Sequence, residues 1–268
     1  MKDLLGDREA HGALPPAAWM GGKRKLSKMI SRRIAGIKHC SYVEPFIGMG
    51  GVFFRRQYQA QCEVINDING DLINLFRILQ RHYPQFMDVL KFQIASRREF
   101  ARLLKVDPAT MTDLERAARF LYLQRLSFGG KVSGQSFGTS PGTTGRFNVT
   151  KLEPMLADVH ERLASVMIED LPWHDLIAKY DNTDTLFYLD PPYWDCETDY
   201  GKGIFSKSDF TKMAKTLSEI NGRFLLSIND VPQIREIFCA FQFQEVTLNY
   251  DMGQGGGTPA KELIISKF

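Results

Sequence analysis

One short run of residues joins an acid, two prolines and an aromatic ring to the end of an apolar segment. Residues 186–189 are apolar and typical of a buried strand, and they are followed by Asp190, Pro191, Pro192 and Tyr193. Because proline cannot donate a hydrogen bond to a sheet ladder, the strand is expected to end at Asp190. The ending then offers a carboxylate, a carbonyl fixed by proline rings and an aromatic surface. A purely structural Asp-Pro turn is the alternative, since such dipeptides are common turn initiators.

A second candidate site lies in "EPFIGMGG". Glu44 is followed there by Gly48, Gly50 and Gly51, whose lack of a side chain lets the backbone approach a ligand closely. A phosphate-binding loop is not indicated, because no Gly-Lys-Ser/Thr follows, and Phe53 stands where a dinucleotide-binding motif has its third glycine. This turn therefore predicts a ligand site without a phosphate cradle.

Two further apolar segments also end in acids. Asp67 follows one of them in "NDIN", where a carboxylate can accept hydrogen bonds from ribose hydroxyls. Glu169 and Asp170 follow another and are placed for an adenine amino group. Together these acids imply a nucleoside ligand that lacks a phosphate anchor. S-adenosylmethionine fits that description, and nicotinamide dinucleotides fit it badly.

The elements that must position these residues alternate between strand and helix patterns. Two strand-turn-helix units come first, and the alternation resumes after Pro154 with three more strands, the last being "RFLLSIND". Such alternation predicts right-handed parallel crossovers and an open, doubly wound α/β sheet. In that fold ligands bind where the strands end, so the candidate residues are expected to meet at one edge. Two terminal strands are expected to pair as a hairpin around the loop from Gly253 to Gly257.

Residues 77–150 interrupt the alternation with a basic insertion. They are mainly helical to about Leu126 and then rich in glycine. Twelve Lys and Arg against five acids give this segment a charge of +7, whereas the whole chain carries only +3. That distribution favours binding of a polyanion, although solvated helix faces also carry arginine. The candidates for nucleic-acid contacts are Arg125 and Lys131, with Arg97, Arg98, Arg116 and Arg119 as phosphate contacts.

Several classes of protein are disfavoured by what the sequence lacks. No apolar run approaches the roughly 20 residues that span a membrane, and the first residues lack the apolar core of a signal peptide, so a cytoplasmic location is expected. The four cysteines are widely scattered, and the histidines have no metal-ligand spacing. We therefore expect neither a metal site nor a disulfide framework, and a monomer is compatible with the sequence.

The order of the motifs resembles one enzyme family. "WMGGK", "EPFIGMGG", "NDIN" and "DPPYW", with a basic insertion before the last, resemble the Dam-type, alpha-group DNA adenine methyltransferases from about Trp19 to the C-terminus. The resemblance implies a Rossmann-like S-adenosylmethionine-dependent methyltransferase sheet, formed by residues 1–76 and 151–268, and a mainly helical target-recognition insertion at 77–150. Double-stranded DNA is then the expected partner. The glycine-rich part of the insertion departs from the family, so no target sequence is carried over.

The resemblance also implies roles for individual residues. Trp19 and Lys23 would bind the methionine end of the cofactor, Phe46 its adenosine, Asp67 its ribose, and Asp170 (or Glu169) its adenine. Asp190, beside the cofactor, and the Pro191 carbonyl would accept hydrogen bonds from the target amine, with Pro192 adding rigidity. Tyr193 would stack on an adenine flipped out of the duplex. Trp194, Ser227, Asn229 and Asp230 are expected near this pocket, in structural roles or at its rim.

Three alternatives remain open at this point. The four residues Asp190, Pro191, Pro192 and Tyr193 form a D-P-P-Y tetrad, and the same chemistry serves enzymes that methylate an RNA adenine or a protein glutamine. A non-catalytic relative would bind DNA without methylating it. For Lys23 alone, without the motif, a solvated lysine at a helix start is the simpler interpretation. A biological role in restriction-modification, replication marking or phage self-protection is equally open.

Overall fold

A mixed sheet of seven strands organises the chain, in a computed structural model that describes residues 8–23, 25–138, 145–199, 201, 203–249 and 259–267. Its strand order is β5-β4-β2-β6-β7-β9-β8, and a small separate ladder joins β1 to β3. The strands are β1 Arg8–Glu9, β2 Ser41–Glu44, β3 Tyr58–Gln59, β4 Cys62–Asn66, β5 Met167–Glu169, β6 Thr185–Leu189, β7 Arg223–Asn229, β8 Gln242–Asn249 and β9 Pro259–Ser266.

Five neighbouring strands of the sheet, β5, β4, β2, β6 and β7, run parallel. The chain moves outward from β2 to β4 and β5 and then crosses back to β6 on the other side of β2, so the strand order reverses between β2 and β6. That reversal is where an open α/β sheet leaves a crevice for a ligand. The predicted doubly wound, Rossmann-like α/β sheet is confirmed.

The last two strands pair as the predicted antiparallel hairpin, whose loop from Gly253 to Gly257 lies outside the described residues. β9 is inserted between β7 and β8 and runs antiparallel to both. This direction was not predicted from the sequence, and it brings the first half of β9 to the edge where the parallel strands end.

Helices cover both faces of the sheet because the central strands are apolar on both sides. On β6, Leu186 and Tyr188 belong to one buried cluster, and Phe187 and Leu189 belong to the other. The helices are α1 Ser27–Ala35, α2 Gly70–Arg81, α3 Tyr83–Leu90, α4 Arg97–Lys105, α5 Asp113–Leu126, α6 Val149–Leu163, α7 Trp173–Tyr180, α8 Lys207–Glu219 and α9 Pro232–Ile237.

The segment 77–150 contributes helices to the same core as the sheet. One of them, α5, begins at a capping box formed by Thr112 and Glu115, and it ends at Leu126, where the sequence predicts the end of the helical part. Its buried side chain Leu121 belongs to the same apolar cluster as Leu75 and Leu79 of α2. The expected boundary between residues 76 and 77 lies inside α2. Residues 77–150 therefore share their apolar core with the rest of the chain.

Candidate active site

A cavity of about 900 Å³ opens at the edge where β2, β4 and β6 end. Its walls bring together ten of the residues singled out in the sequence, although more than 170 positions separate the first from the last. They are Trp19, Lys23, Glu44, Phe46, Gly48, Gly51, Asp67, Arg125, Asp190 and Pro192. Four others, Gly50, Asp170, Pro191 and Tyr193, lie outside this wall.

The turn after β2 needs glycine at two positions. Gly48 has a φ of +48°, and a Cβ there would lie 2.7 Å from Nε1 of Trp19. Gly50 has a φ of +73°, and its Cβ would lie 2.3 Å from a ring carbon of Phe54. Gly48 therefore lets the Trp19 indole pack directly on the turn as part of the cavity wall, and Gly50 makes room for the Phe54 ring.

The Asp67 carboxylate is held by the backbone on both oxygens. Oδ2 accepts the N–H of Gly48 at 3.0 Å, and Oδ1 accepts the N–H of Asn69 at 3.0 Å. Burial raises the pKa of Asp67 to about 6, despite these two hydrogen bonds, which lower it. Each oxygen keeps a second lone pair, so the carboxylate can still accept hydrogen bonds from a pair of hydroxyls.

Asn66, the last residue of β4, is a structural residue of the site that the sequence did not reveal. Its side-chain amide donates to the carbonyls of Pro45 and Leu171 at 3.0 Å each, and its oxygen accepts the N–H of Leu171 at 2.8 Å. This buried side chain thereby ties the loops after β2 and β5 to the end of β4. Its only sequence signal is a polar residue at the end of an apolar strand, which also fits a turn.

The two acids after β5 differ in what they contact. Glu169 accepts hydrogen bonds from Lys179 at 2.8 Å and Tyr180 at 2.6 Å, and these bonds lower its pKa. Asp170 is exposed and lies beside Gly70, at the start of α2. Because Oε1 of Glu169 already accepts both of these hydrogen bonds, Asp170 stays the better candidate for an adenine contact, and that role stays a prediction.

Asp190 is fixed by one of its two oxygens. Oδ1 lies 2.6 Å from the Lys23 ammonium and accepts the Ser227 hydroxyl at 3.1 Å. The Ser227 hydroxyl is joined in turn to Tyr188 at 2.9 Å. Burial raises the pKa of Asp190, although the Lys23 charge opposes this effect. No hydrogen bond from the described residues reaches Oδ2, so this oxygen is available as an acceptor.

Lys23 is not a solvated lysine, and that simpler interpretation is wrong. Its side chain is only 3% exposed, and the ammonium donates to the Gly21 carbonyl at 3.1 Å besides its ion pair with Asp190. It also lies 4.4 Å from the centre of the Tyr193 ring, within cation–π range. Lys23 therefore joins the WMGGK segment to the D-P-P-Y tetrad.

The residues that follow the tetrad have structural contacts. The Asn229 side chain accepts the N–H of Trp194 at 2.9 Å and donates to its carbonyl at 3.2 Å, which fixes the turn. The Trp194 ring packs on Phe210 at the edge of the core. Asp230 binds Arg235 through two hydrogen bonds. Of the three candidates on β7 and just after it, only Ser227 contacts the tetrad acid.

The six candidate basic residues of the insertion fall into two groups. Arg97, Arg98 and Lys131 are exposed. Arg116 binds Asp71 of α2 at 2.6 Å, and Arg119 donates to the Leu103 carbonyl at 2.8 Å. These last two arginines therefore already connect neighbouring helices.

Arg125 is the candidate most deeply placed. Its guanidinium donates to the carbonyls of Pro16 at 2.6 Å and Arg146 at 3.2 Å, and burial lowers its pKa. It lines the cavity instead of projecting from the surface, so its first role is to hold the insertion against the segment before Trp19.

Within the described ranges, no helix is long and apolar enough to cross a membrane. The same residues contain no group of three or more His, Cys, Asp or Glu side chains arranged to hold a metal ion.

Comparison with known proteins gives a consistent result. A family model described as D12 class N6 adenine-specific DNA methyltransferase matches residues 19–252. The chain is 24% identical over 252 residues to the type II methyltransferase M.CviBI of Paramecium bursaria Chlorella virus NC1A, covering 93% of this chain and 95% of that protein. It is 26% identical to M1.LlaDCHI of Lactococcus lactis subsp. cremoris, with 95% of each chain covered. A DNA adenine methylase of Haemophilus influenzae is 25% identical, over 93% of this chain and 92% of that one.

Proposed function

Because this chain belongs to the D12 class of N6 adenine-specific DNA methyltransferases, we propose that it transfers a methyl group from S-adenosyl-L-methionine to the amino group of an adenine flipped out of duplex DNA. The observation that carries the proposal is the position of Asp190. Its carboxylate lies in the wall of the 900 Å³ cavity, with one oxygen fixed by Lys23 and Ser227 and the other available to an amine.

The cavity fits S-adenosylmethionine in size and in the chemistry of its walls. Small-molecule sites commonly enclose about 300–1,000 Å³, and this cavity lies within that range. Asp67 has acceptor capacity for two ribose hydroxyls, and Trp19 and Phe46 offer ring surfaces. The buried carboxyl of Glu44 suits a ligand with positive charge. When bound, the cofactor would supply an electrophilic methyl group on a sulfonium.

The reacting amine requires help because its lone pair is delocalised into the adenine ring. Asp190 Oδ2 and the Pro191 carbonyl would each accept one N–H, which favours a tetrahedral nitrogen whose lone pair points away from both acceptors. Lys23 and Ser227 keep the carboxylate from rotating, and the two prolines keep the carbonyl in place. Once methylated, the nitrogen becomes acidic, and Asp190 would take the departing proton.

Tyr193 would stabilise the flipped base. Extruding a base costs a few kcal/mol, and stacking on an aromatic ring returns roughly 1–3 kcal/mol. The Lys23 ammonium occupies one side of the ring, so the base would stack on the other. Lys23 also balances the charge of the Asp190 carboxylate, which a neutral base could not do.

Binding of the cofactor is expected to depend on pH through Glu44. Burial raises the pKa of Glu44 to about 8, in spite of the hydrogen bond that Tyr42 donates to it and the nearby Arg56 and Arg162. Below that pH the carboxyl is protonated, and a cation beside it favours loss of the proton. Affinity for S-adenosylmethionine should therefore rise up to about pH 8, by at most about tenfold per pH unit, and then level off.

Two controls belong to this titration calorimetry experiment. S-adenosylhomocysteine lacks the sulfonium charge, so its affinity should change much less with pH. Glu44→Gln should remove the difference between the two ligands. If the two ligands gave parallel pH profiles in the unaltered protein, Glu44 would have no coupling to the sulfonium.

The exposed cations of the insertion are expected to set the salt dependence of DNA binding. Each phosphate contact contributes about −0.9 to the slope of log affinity against log salt. Replacing Arg97, Arg98 and Lys131 with alanine should make the slope shallower by about 0.9 for each residue that contacts a phosphate. Arg116→Ala is the matched control, because Arg116 is engaged with Asp71 and should change stability and leave the slope unaltered. An unaltered slope in the triple variant would show that none of these three residues contacts a phosphate.

The proposed function is tested by following tritiated methyl groups from S-adenosylmethionine to unmethylated duplex DNA, RNA and protein. Label should appear in DNA, at N6 of adenine. Transfer to RNA or protein alone would support the alternative substrates, and no transfer to any nucleic acid would refute the proposal. Methylation-sensitive sequencing of DNA from cells that express the protein would then identify the target sequence.

A further inference from the structure

Glu262 lies against the D-P-P-Y tetrad although it is 69 positions away from Tyr193 in the sequence. Its side chain is 2% exposed, and its Oε2 accepts the hydroxyl of Tyr193 at 2.6 Å. The same carboxyl is close enough to Asp190 to raise the pKa of that acid. A buried carboxyl in direct contact with the tetrad has no role in the chemistry described above.

The direction of β9 explains how Glu262 reaches the site. Parallel strands bring their last residues to the ligand edge, and an antiparallel strand brings its first residues there. Glu262 lies in the first half of β9 and pairs with Asn229, the last residue of β7. The reversed strand thereby adds a side chain to the site from the C-terminal end of the chain.

We propose that Glu262 is a positioning residue, which holds the Tyr193 ring in the orientation that receives the flipped base. The inference rests on the proposed function. A tyrosine side chain turns about two bonds, and here its hydroxyl is tied to Glu262 while the Lys23 ammonium lies over one ring face at 4.4 Å. These two constraints fix the orientation of the ring before DNA binds. Such preorganisation lowers the cost of ordering the complex.

A double-mutant cycle on the transfer rate tests this role. Tyr193→Phe removes only the hydroxyl, and Glu262→Ala removes its acceptor. Each should lower the single-turnover rate of methyl transfer to duplex DNA about tenfold, which is the scale of one lost buried hydrogen bond, and the double variant should lose no more than the worse single variant. The dissociation constant for S-adenosylmethionine should stay unchanged in all three.

Two further variants separate positioning from a structural role. Glu262→Gln keeps an acceptor for the tyrosine hydroxyl and should restore most of the rate, even if the alanine variant unfolds at a lower temperature. Glu245→Ala removes an exposed carboxylate on β8, which binds Arg235, and should transfer methyl groups normally. Additive losses in the cycle, or a normal rate in Glu262→Ala, would overturn the inference. The unaltered protein in the same assay reports on the proposed function, and its failure to methylate DNA would overturn both.

Discussion

Asp190→Ala is expected to lower the rate of methyl transfer about 10³-fold and to leave the affinity for S-adenosylmethionine within a few-fold. The variant removes the acceptor that would orient the amine, and the loss of one preorganised catalytic group of this kind costs about 10²–10³ in rate. Asp67, Glu44 and Trp19, which would carry most of the cofactor contacts, remain in place. Single-turnover transfer to duplex DNA measures the rate, and equilibrium binding of S-adenosylmethionine measures the affinity. Equal losses of both would show that Asp190 serves cofactor binding instead of the target amine.

The same substitution has a second effect that must be separated from the first. Lys23 is 3% exposed and would lose the carboxylate that balances its charge, and removing one partner of a buried pair costs about 3–5 kcal/mol. The Asp190 side chain is itself 19% exposed, so solvent screening should bring the loss to the lower end of that range. Lys23→Met combined with Asp190→Ala should recover much of the stability and none of the transfer. If the double variant recovered transfer, the acid would have only a structural role.

The sequence predicts the site best where a functional residue follows an apolar strand of a parallel sheet. Asp67 and Asp190 each do so, and Glu44 is the last residue of such a strand; because parallel strands end at one edge, the three meet in one cavity. Glu262 could not be predicted in this way because β9 runs antiparallel to β7, and the residues "AKELIIS" do not indicate the direction of the strand. Strand direction here depends on long-range pairing with β7, which is a property of the assembled sheet.

The exposure of the basic residues could not be predicted from the sequence either. The charge of the insertion is read directly from its composition, but composition does not say which carbonyl or carboxylate each guanidinium meets. Arg98 is exposed, whereas Arg116, on the next helix, binds Asp71. Arg125 was a leading candidate for a DNA contact, and it donates to two backbone carbonyls beside the cavity. The two carbonyls that Arg125 binds lie 21 and 109 positions away in the sequence. Only the tertiary structure therefore distinguishes the exposed arginines from the bound ones.

The largest loss of stability is expected from Glu63→Ala. Glu63 lies on β4 and is 4% exposed, and its carboxylate binds two other buried side chains, Arg56 at 2.7 Å and Arg162 at 2.9 Å. The two guanidinium groups also stack on the rings of Tyr42 and Phe53, which helps to hold them in their buried positions. Alanine would leave two buried cations without a counter-charge. The expected loss in the free energy of unfolding is at least about 3–5 kcal/mol, measured by urea denaturation.

A surface pair in the same protein provides the control for Glu63. Glu99 binds Arg102 through two hydrogen bonds, at 2.9 and 2.6 Å, so the bonding geometry resembles that of Glu63 with Arg162. The Arg102 side chain is 59% exposed, however, and water can replace the lost carboxylate. Glu99→Ala should therefore cost no more than about 1 kcal/mol. Equal losses in the two variants would mean that burial does not set the strength of these pairs. A larger loss at Glu63 would identify its buried ion pairs with Arg56 and Arg162 as a main source of stability.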